Sequence, residues 1–258
     1  NYKIIGNGEV ELSGTLKSFD LSPGESRSLT FNLFSIIPKP GLEYFLLVEA
    51  KLKNANKLIS KGHLIAWEQF RLPISRFDLP FDSDSLFPTS LVYNDNNIIV
   101  NGDEFSLSFS LENGFLNEFS YRNTKLFEGV LQPFFWRAPT DNDLGNNMPE
   151  RCLIWKNAHN ELLLQSLDTS SIGNIKQIKT IHFHEKSQSR LELSYSIFGN
   201  GIIKLKQTIY PSGADYPELP RFGMKVTLPS SFSDFDWFGR GPHESYWDRK
   251  ASAKVDRF

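Results

Sequence analysis

Residues 105–114 have the sequence Phe105-Ser106-Leu107-Ser108-Phe109-Ser110-Leu111-Glu112-Asn113-Gly114, in which apolar and polar side chains alternate up to an Asn-Gly pair. A period of two is typical of a strand with one buried face, and Asn-Gly favours the tight turn of a β-hairpin. A second segment of this kind runs from Arg190 to Tyr210, with Asn200-Gly201 at its turn. Together the two hairpins predict a large antiparallel sheet.

The composition agrees with an all-β globular protein. The 258 residues are 40% apolar and 22% charged, and their 22 Phe, 17 Gly and 14 Pro are typical of many short strands joined by turns. The 28 basic and 30 acidic side chains leave a net charge of -2, which gives no electrostatic attraction to nucleic acid or to an anionic membrane. Neither partner is therefore expected. A single cysteine, Cys152, excludes an internal disulfide and a zinc site built from several thiolates.

Two β-rich blocks are separated by one aperiodic segment. Residues 1–76 contain short strands between turn signals, among them Ser28–Phe34, in the number and spacing of a small immunoglobulin-like sandwich. Residues 77–90 are rich in Asp, Ser and Pro and are predicted to be a linker, and residues 91–258 form the second domain. One helix is predicted, from Met148 to Leu164, on the stripe Cys152, Trp155, Ala158 and Leu162.

Residues 134–145 concentrate side chains that can bind polar ligands, including Trp136, Arg137, Asp141, Asn142, Asp143 and the backbone of Gly145. Aromatic faces stack on sugar rings and charged groups bind hydroxyls, so one interpretation is a loop beside a sugar or metal site. The other interpretation is structural: Arg137 pairs with Asp141 or Asp143 in a rigid turn, which Asp143 can cap. The usual behaviour of polar loop clusters favours the structural interpretation.

A second unusual segment is Trp237–Lys250. Its Gly-x-Gly sequence is not a phosphate loop, because no helical pattern follows and Pro242 removes a backbone donor. His243 and Glu244 could act as an acid and a base. The alternative is an ion network of Glu244, Asp248 and Arg249, which is favoured because neighbouring residues of an extended chain point to opposite faces.

The third segment contains His182 and His184, which would share one face of a strand and could ligate a metal. No third ligand is close in the sequence, so exposed strand histidines are the favoured interpretation. No nucleophile elbow and no alternating β/α barrel is present in the sequence pattern. The residues alone therefore predict a two-domain β-protein with one candidate sugar-contacting loop and no catalytic pair.

Three segments resemble the carboxyl-terminal part of family 2 β-galactosidases. Residues 136–145 are similar to the signature Arg-Ala-Pro-x-Asp-Asn-Asp-x-Gly of the last domain of that family. Residues 237–249 are similar to its signature Trp-x-Gly-x-Gly-Pro-x-Glu-x-Tyr-x-Asp-Arg. Residues 62–72 resemble the end of the immunoglobulin-like domain that precedes it. Since their order and spacing agree, the resemblance covers essentially the whole chain.

The resemblance implies a five-domain parent polypeptide that acts as a retaining β-galactosidase. This chain would be its fourth domain, an immunoglobulin-like β-sandwich without its start, followed by an incomplete galactose-mutarotase-like β-supersandwich. Both catalytic glutamates of the family lie on the barrel, so no catalytic residue, metal site or cofactor is expected in this chain, and any Mg²⁺ or Na⁺ of the parent would be held mainly by the barrel. The expected partners are a β-galactoside or other carbohydrate, the barrel of the same polypeptide, and further copies of the parent.

By the same resemblance, the candidate residues for the active-site rim or for carbohydrate contact are Trp136, Arg137, Asp141, Asn142, Asp143, Gly145 and Glu244. Gly145 is expected to be a loop hinge with a positive φ. Two alternatives remain open. One is a free-standing aldose epimerase that uses His182 and Glu244 as its acid and base. The other is a carbohydrate-binding module that stacks sugar on Trp136, Trp237 or Trp247.

Overall fold

The computed structural model describes residues 1–17, 19–30, 36–74, 87–212 and 216–258. The chain is nearly all β, with antiparallel sheets, as the sequence predicts. It divides into two compact units, Asn1–Pro80 with Asp234–Phe258, and Phe81–Ser233. Most of the predicted linker 77–90 lies outside the described residues, as does part of the predicted strand Ser28–Phe34.

The elements of the described residues follow in chain order. The strands are β1 (Tyr2–Gly6), β2 (Glu9–Gly14), β3 (Tyr44–Lys51), β4 (Leu64–Arg71), β5 (Ser90–Tyr93), β6 (Asn97–Asn101), β7 (Phe105–Ser110), β8 (Leu116–Tyr121), β9 (Thr124–Lys125), β10 (Glu128–Phe134), β11 (Leu162–Ile172), β12 (Ile175–His184), β13 (Ser189–Ile197), β14 (Ile203–Pro211), β15 (Gly223–Thr227), β16 (Phe238–Gly241) and β17 (Lys254–Arg257). The α-helices are α1 (Asp141–Gly145) and α2 (Met148–Arg151), and the 3₁₀ helices are Leu153–Trp155, Ala158–Asn160 and Lys250–Ser252.

The first unit is built on an antiparallel sheet with the strand order β2-β1-β3-β4. One face of this sheet packs Ile4, Tyr44 and Leu46 into a small core. The neighbouring residues in the sequence, such as Ile5 and Phe45, are also buried although they point to the opposite face. Both faces are therefore covered. The antiparallel pair β16 and β17 contributes to this unit through contacts with β3 and β4.

The second unit contains two antiparallel sheets. One has the order β15-β10-β8-β7-β6-β5, with β9 paired to β8, and the other has the order β11-β12-β13-β14. Both predicted hairpins are confirmed, since β7 pairs with β8 and β13 pairs with β14. Their apolar positions share one hydrophobic core, in which Phe109 of β7 meets Tyr195 of β13 edge to face with ring centroids 5.0 Å apart.

The single helix predicted from Met148 to Leu164 is wrong. Helix α2 ends at Arg151, two 3₁₀ turns follow, and β11 begins at Leu162. Cys152, Trp155 and Ala158 are nevertheless buried, as the stripe requires. Their spacing of three fits a 3₁₀ turn as well as an α-helix, so the burial pattern did not distinguish the two conformations. No helix of the described residues is long and apolar enough to cross a membrane.

The turn between β7 and β8 provides a test of the packing between the two sheets. Gly114 has φ +71°, and a Cβ placed there would lie 2.8 Å from Leu164 Cδ1 and 3.0 Å from Thr180 Cγ2. Gly129 has φ +78° and nothing within 4 Å of the corresponding position. We expect Gly129→Ala to cost about 1–2 kcal/mol of unfolding free energy through backbone strain alone. Gly114→Ala should cost about 1–3 kcal/mol more because it also overpacks the core. Urea unfolding of both variants measures the difference, and equal costs would contradict the tight packing.

Candidate functional site

The candidate rim segment begins where β10 enters the core. Phe135 is buried against Trp155, with ring centroids 5.9 Å apart, and its carbonyl accepts a hydrogen bond of 3.1 Å from Arg221 N. Trp136 is half-buried and packs against the same core. Its ring therefore contributes to packing and is not a fully exposed platform for sugar.

Arg137 and Asp143 form a two-pronged ion pair. Arg137 Nη2 donates to Asp143 Oδ1 at 2.7 Å, and Arg137 Nη1 donates to Asp143 Oδ2. Arg137 Nε donates to the Pro220 carbonyl at 3.0 Å. The two side chains are only 18% and 8% exposed, so solvent screens their attraction weakly. This pairing agrees with the structural interpretation of the segment and selects Asp143, rather than Asp141, as the partner of Arg137.

Thr140 completes the network around Asp143. Its backbone N–H and its hydroxyl donate to Asp143 Oδ2 at 2.9 and 3.0 Å, and Asp143 N donates to Thr140 Oγ1 at 3.3 Å. This reciprocal arrangement is a capping box that starts α1. Hydrogen bonding from Arg137, opposed by burial and assisted by Thr140, holds the pKa of Asp143 below its usual value. Thr140 is not among the residues predicted for this site, although the spacing Thr-x-x-Asp is a signal for such a cap.

The other rim candidates of this segment lie on the outer side of α1. Asp141, Asn142 and Gly145 are exposed, and the neighbouring Leu144 is also exposed. The expected positive φ of Gly145 is wrong, because this residue continues the helix. The left-handed conformation belongs to Asn147, with φ 60°, between α1 and α2. Asparagine tolerates this conformation better than most residues, and Asn147 Nδ2 donates to Glu150 Oε2 at 3.0 Å.

Glu244 lies in the other compact unit and pairs with Arg249. His243 Nδ1 donates instead to the Glu244 carbonyl at 2.8 Å, and His243 Nε2 lies 3.1 Å from Ser252 Oγ. The carboxylate and the imidazole are thus engaged with different partners. The arrangement agrees with the ion-pair interpretation of this segment and not with an acid-base pair of His243 and Glu244.

The prediction that His182 and His184 are exposed is wrong, because both are buried on the core face of β12. His182 Nε2 donates to the Asn113 carbonyl at 2.8 Å, and its ring stacks on Phe115. Burial, partly opposed by the Asn113 hydrogen bond, lowers the pKa of His182. A fully buried ring cannot contact a sugar, which weighs against His182 as the acid of an epimerase.

His184 is held by partners of its own. Its Nδ1 lies 2.7 Å from Ser187 Oγ and its Nε2 lies 3.2 Å from Glu161 Oε2, while the ring stacks on Trp155. Across the part of the chain that the structure describes, no group of three or more His, Cys, Asp or Glu side chains could hold a metal ion. The two strand histidines are packing residues of the core, and Nδ1 of His182 is buried there without a hydrogen-bond partner among the described residues.

Comparison with known proteins gives a consistent result. A family model described as "Beta galactosidase small chain" matches residues 101–258, and one described as "Beta-galactosidase, domain 4" matches residues 1–73. The chain is 32% identical over 213 residues to a protein of Priestia megaterium named "Beta-galactosidase", covering 83% of this chain and 20% of that protein. Proteins of the same name from Halalkalibacterium halodurans and Clostridium acetobutylicum are 27% and 30% identical, covering 92% and 83% of this chain and 24% of each relative. The chain thus spans a fifth to a quarter of the length of these relatives.

The ion pair of Arg137 and Asp143 is expected to stabilise the second unit. Asp143→Asn leaves the guanidinium of Arg137 mostly buried without its counter-charge, which should lower the free energy of unfolding by about 3 kcal/mol. The matched control is Glu244→Gln, which breaks a pair whose side chains are 52% and 47% exposed. That loss should stay below about 1 kcal/mol. Equilibrium unfolding in urea compares the variants, and similar losses would contradict the structural role of the buried pair.

The buried His182 predicts a pH dependence. Its folded pKa lies below the ordinary value of 6.5, so the unfolded chain takes up a proton first as the pH falls. Stability of the second unit should therefore fall below pH ~6.5, by at most about 1.4 kcal/mol per pH unit for this group, until the folded pKa is reached. His182→Gln should reduce that decline. Unfolding free energies of the original chain and of the variant at pH 7.5 and 5.0 test this prediction. The difference between the two proteins at pH 7.5 measures the packing cost of the substitution. An unchanged decline would contradict the assignment.

Proposed function

Because the chain belongs to the β-galactosidase small-chain family, we propose that it is a non-catalytic carboxyl-terminal segment of a retaining family 2 β-galactosidase that hydrolyses terminal β-D-galactosides. Its role is to support the rim of the active site and to contribute to carbohydrate binding. The chemical step belongs to the barrel of the same polypeptide. The sugar substrate, that barrel and further copies of the parent are its partners.

The observation that carries this proposal is the closed network of Arg137, Thr140 and Asp143. Both oxygens of the carboxylate accept hydrogen bonds, and its pKa is lowered. A carboxylate held in this ionised state is a poor proton donor at neutral pH, so the network suits positioning rather than general acid catalysis. It fixes the start of α1 and with it the outward direction of Asp141 and Asn142.

The exposed face of α1 is suited to a rim. Asp141 and Asn142 provide a carboxylate and an amide that can bind sugar hydroxyls, and Leu144 provides an apolar contact beside them. The Arg137 network holds the amino-terminal end of this helix, and the hydrogen bond from Asn147 N to the Leu144 carbonyl holds the other end, so the backbone that carries these side chains is preorganised. Preorganised groups bind a ligand with less loss of conformational entropy.

The proposal predicts that the pure 258-residue chain does not hydrolyse o-nitrophenyl-β-D-galactoside. An antibody against the chain should detect a polypeptide in the source cells about four to five times heavier than 29.5 kDa, since the chain spans 20–24% of its relatives. That larger polypeptide, once purified, should hydrolyse the same substrate. Turnover by the 258-residue chain alone, or a native band at 29.5 kDa, would contradict the proposal.

A matched pair of variants of the larger polypeptide tests the positioning role. Asp143→Asn should lower kcat/KM for the galactoside by about tenfold or more, because α1 loses its ion pair with Arg137 and the charged acceptor of its capping box. Glu128→Gln, on an exposed residue of β10 outside this network, should leave kcat/KM within about twofold. Galactose inhibition constants should rise with the first variant only. Equal effects of the two variants would contradict the positioning role.

A further inference from the structure

The first unit contains a cleft between its sheet and the β16–β17 pair. The cleft has a volume of about 590 Å³, within the range of small-molecule sites. Its aromatic lining consists of Phe45 from β3, Trp67 from β4 and Phe238 from β16. Phe45 is buried, Trp67 is half-buried and Phe238 is partly exposed. The aromatic side chains of the lining are therefore more buried on the sheet side of the cleft than on the β16 side.

The two walls of the cleft are tied together by specific contacts. The side-chain amide of Gln69 makes both possible bonds to the backbone of Val255, with Nε2 donating to the carbonyl at 2.8 Å and Oε1 accepting from the N–H at 2.7 Å. Lys254 Nζ lies 4.8 Å from the centre of the Trp67 ring. Because these contacts lie beside the cleft and hold β17 on β4, the cleft is preformed.

Small residues keep the third side of the cleft open. Gly239, Ala251 and Ala253 all line it. A Cβ on Gly239 would meet only the Trp237 ring, at an ordinary contact distance of 3.7 Å. Arg240 Nη1 donates to the carbonyls of Lys250 and Ala253 at 2.8 and 2.9 Å, which holds the turn that carries the two alanines.

The rim of the cleft carries balanced charge. Its charged side chains are two carboxylates and two guanidinium groups, Glu43, Glu68, Arg71 and Arg240. Arg71 Nη2 pairs with Glu43 Oε1 at 2.5 Å. Among the residues that line the cleft, two charges of each sign balance, and the ammonium of Lys254 beside the Trp67 ring adds one cation that already has an aromatic partner. Adjacent hydroxyls can donate to a carboxylate and accept from a guanidinium, so a neutral polyhydroxy compound uses both signs. An aromatic floor adds an apolar surface for the C–H face of a ring.

We propose that this cleft is a binding site for a neutral sugar of one or two pyranose rings, with Trp67 as the aromatic contact and the Glu43–Arg71 pair as the polar one. The proposal extends the carbohydrate binding included in the proposed function to a defined site of the first unit. Its test does not involve hydrolysis, so the two proposals can fail separately.

The test uses the 258-residue chain labelled with ¹⁵N and titrated with galactose and with lactose. Amide shifts should change along β4 and around Ala251 in a saturable manner. Ala251→Trp places a large ring in the cleft from an exposed position and should weaken binding by about tenfold or more, as should Trp67→Ala. Circular dichroism checks that each variant is folded, and the Ala251 variant removes no existing contact of the core.

The matched control is Trp247→Ala. Trp247 belongs to the same unit, is 86% exposed and has Lys250 Nζ 3.4 Å from its ring centre, an arrangement like that of Trp67 and Lys254, but it is not part of the cleft lining. Its removal should leave sugar affinity unchanged within about twofold. The proposal is overturned if neither sugar binds at millimolar concentrations, if Trp247→Ala weakens binding as much as Ala251→Trp, or if galacturonate binds more tightly than galactose.

Discussion

The segment between β10 and β11 depends on the ion pair of Arg137 and Asp143. Arg137 follows directly on the core residues Phe135 and Trp136, while Asp143 lies inside α1, so the pair connects the hydrophobic core to the exposed helix. Low exposure strengthens the attraction, and Oδ2 of Asp143 also accepts two hydrogen bonds from Thr140. Without this network, α1 would be a five-residue helix with no other support at its amino terminus, too short to be stable by itself.

Local patterns predicted the parts of the fold that depend on local geometry. The alternation of Phe105, Leu107 and Phe109 could only place those side chains on one face of a strand, and the Asn-Gly turns were compatible with few other connections. In the candidate site, composition pointed to pairing of Arg137 with an aspartate. It left Asp141 and Asp143 as alternatives, because choosing between them required the helical turn that places Thr140 and Asp143 together.

The predictions of a helix from Met148 to Leu164 and of exposed strand histidines were wrong at positions where one sequence spacing fits two conformations. Cys152, Trp155 and Ala158 recur every three residues, which fits an α-helix and a 3₁₀ helix equally well. The position of Trp155 is fixed by a contact distant in the sequence, since its indole Nε1 donates to the Pro217 carbonyl at 2.9 Å. On β12, His182 and His184 alternate with Ile181 and Phe183, and this alternation favoured burial of the face that carries Ile181 and Phe183. The face that is buried carries the two histidines together with Ile178. Tertiary partners such as the Asn113 carbonyl decide which face of β12 is buried. The cleft was not predicted, because β4 and β17 are far apart in the sequence.

The Gln69–Val255 contact joins residues 186 positions apart, and a side-chain amide there takes the place of a backbone partner. During synthesis the ribosome completes β1, β3 and β4 long before it reaches β17. Until then, the side of the sheet that carries Ile5, Phe45 and Leu47 has no β16–β17 pair to cover it. The amino-terminal unit therefore finishes folding only after translation has passed the entire second unit. A nascent chain that stalls in between exposes an apolar sheet surface of the kind that chaperones bind.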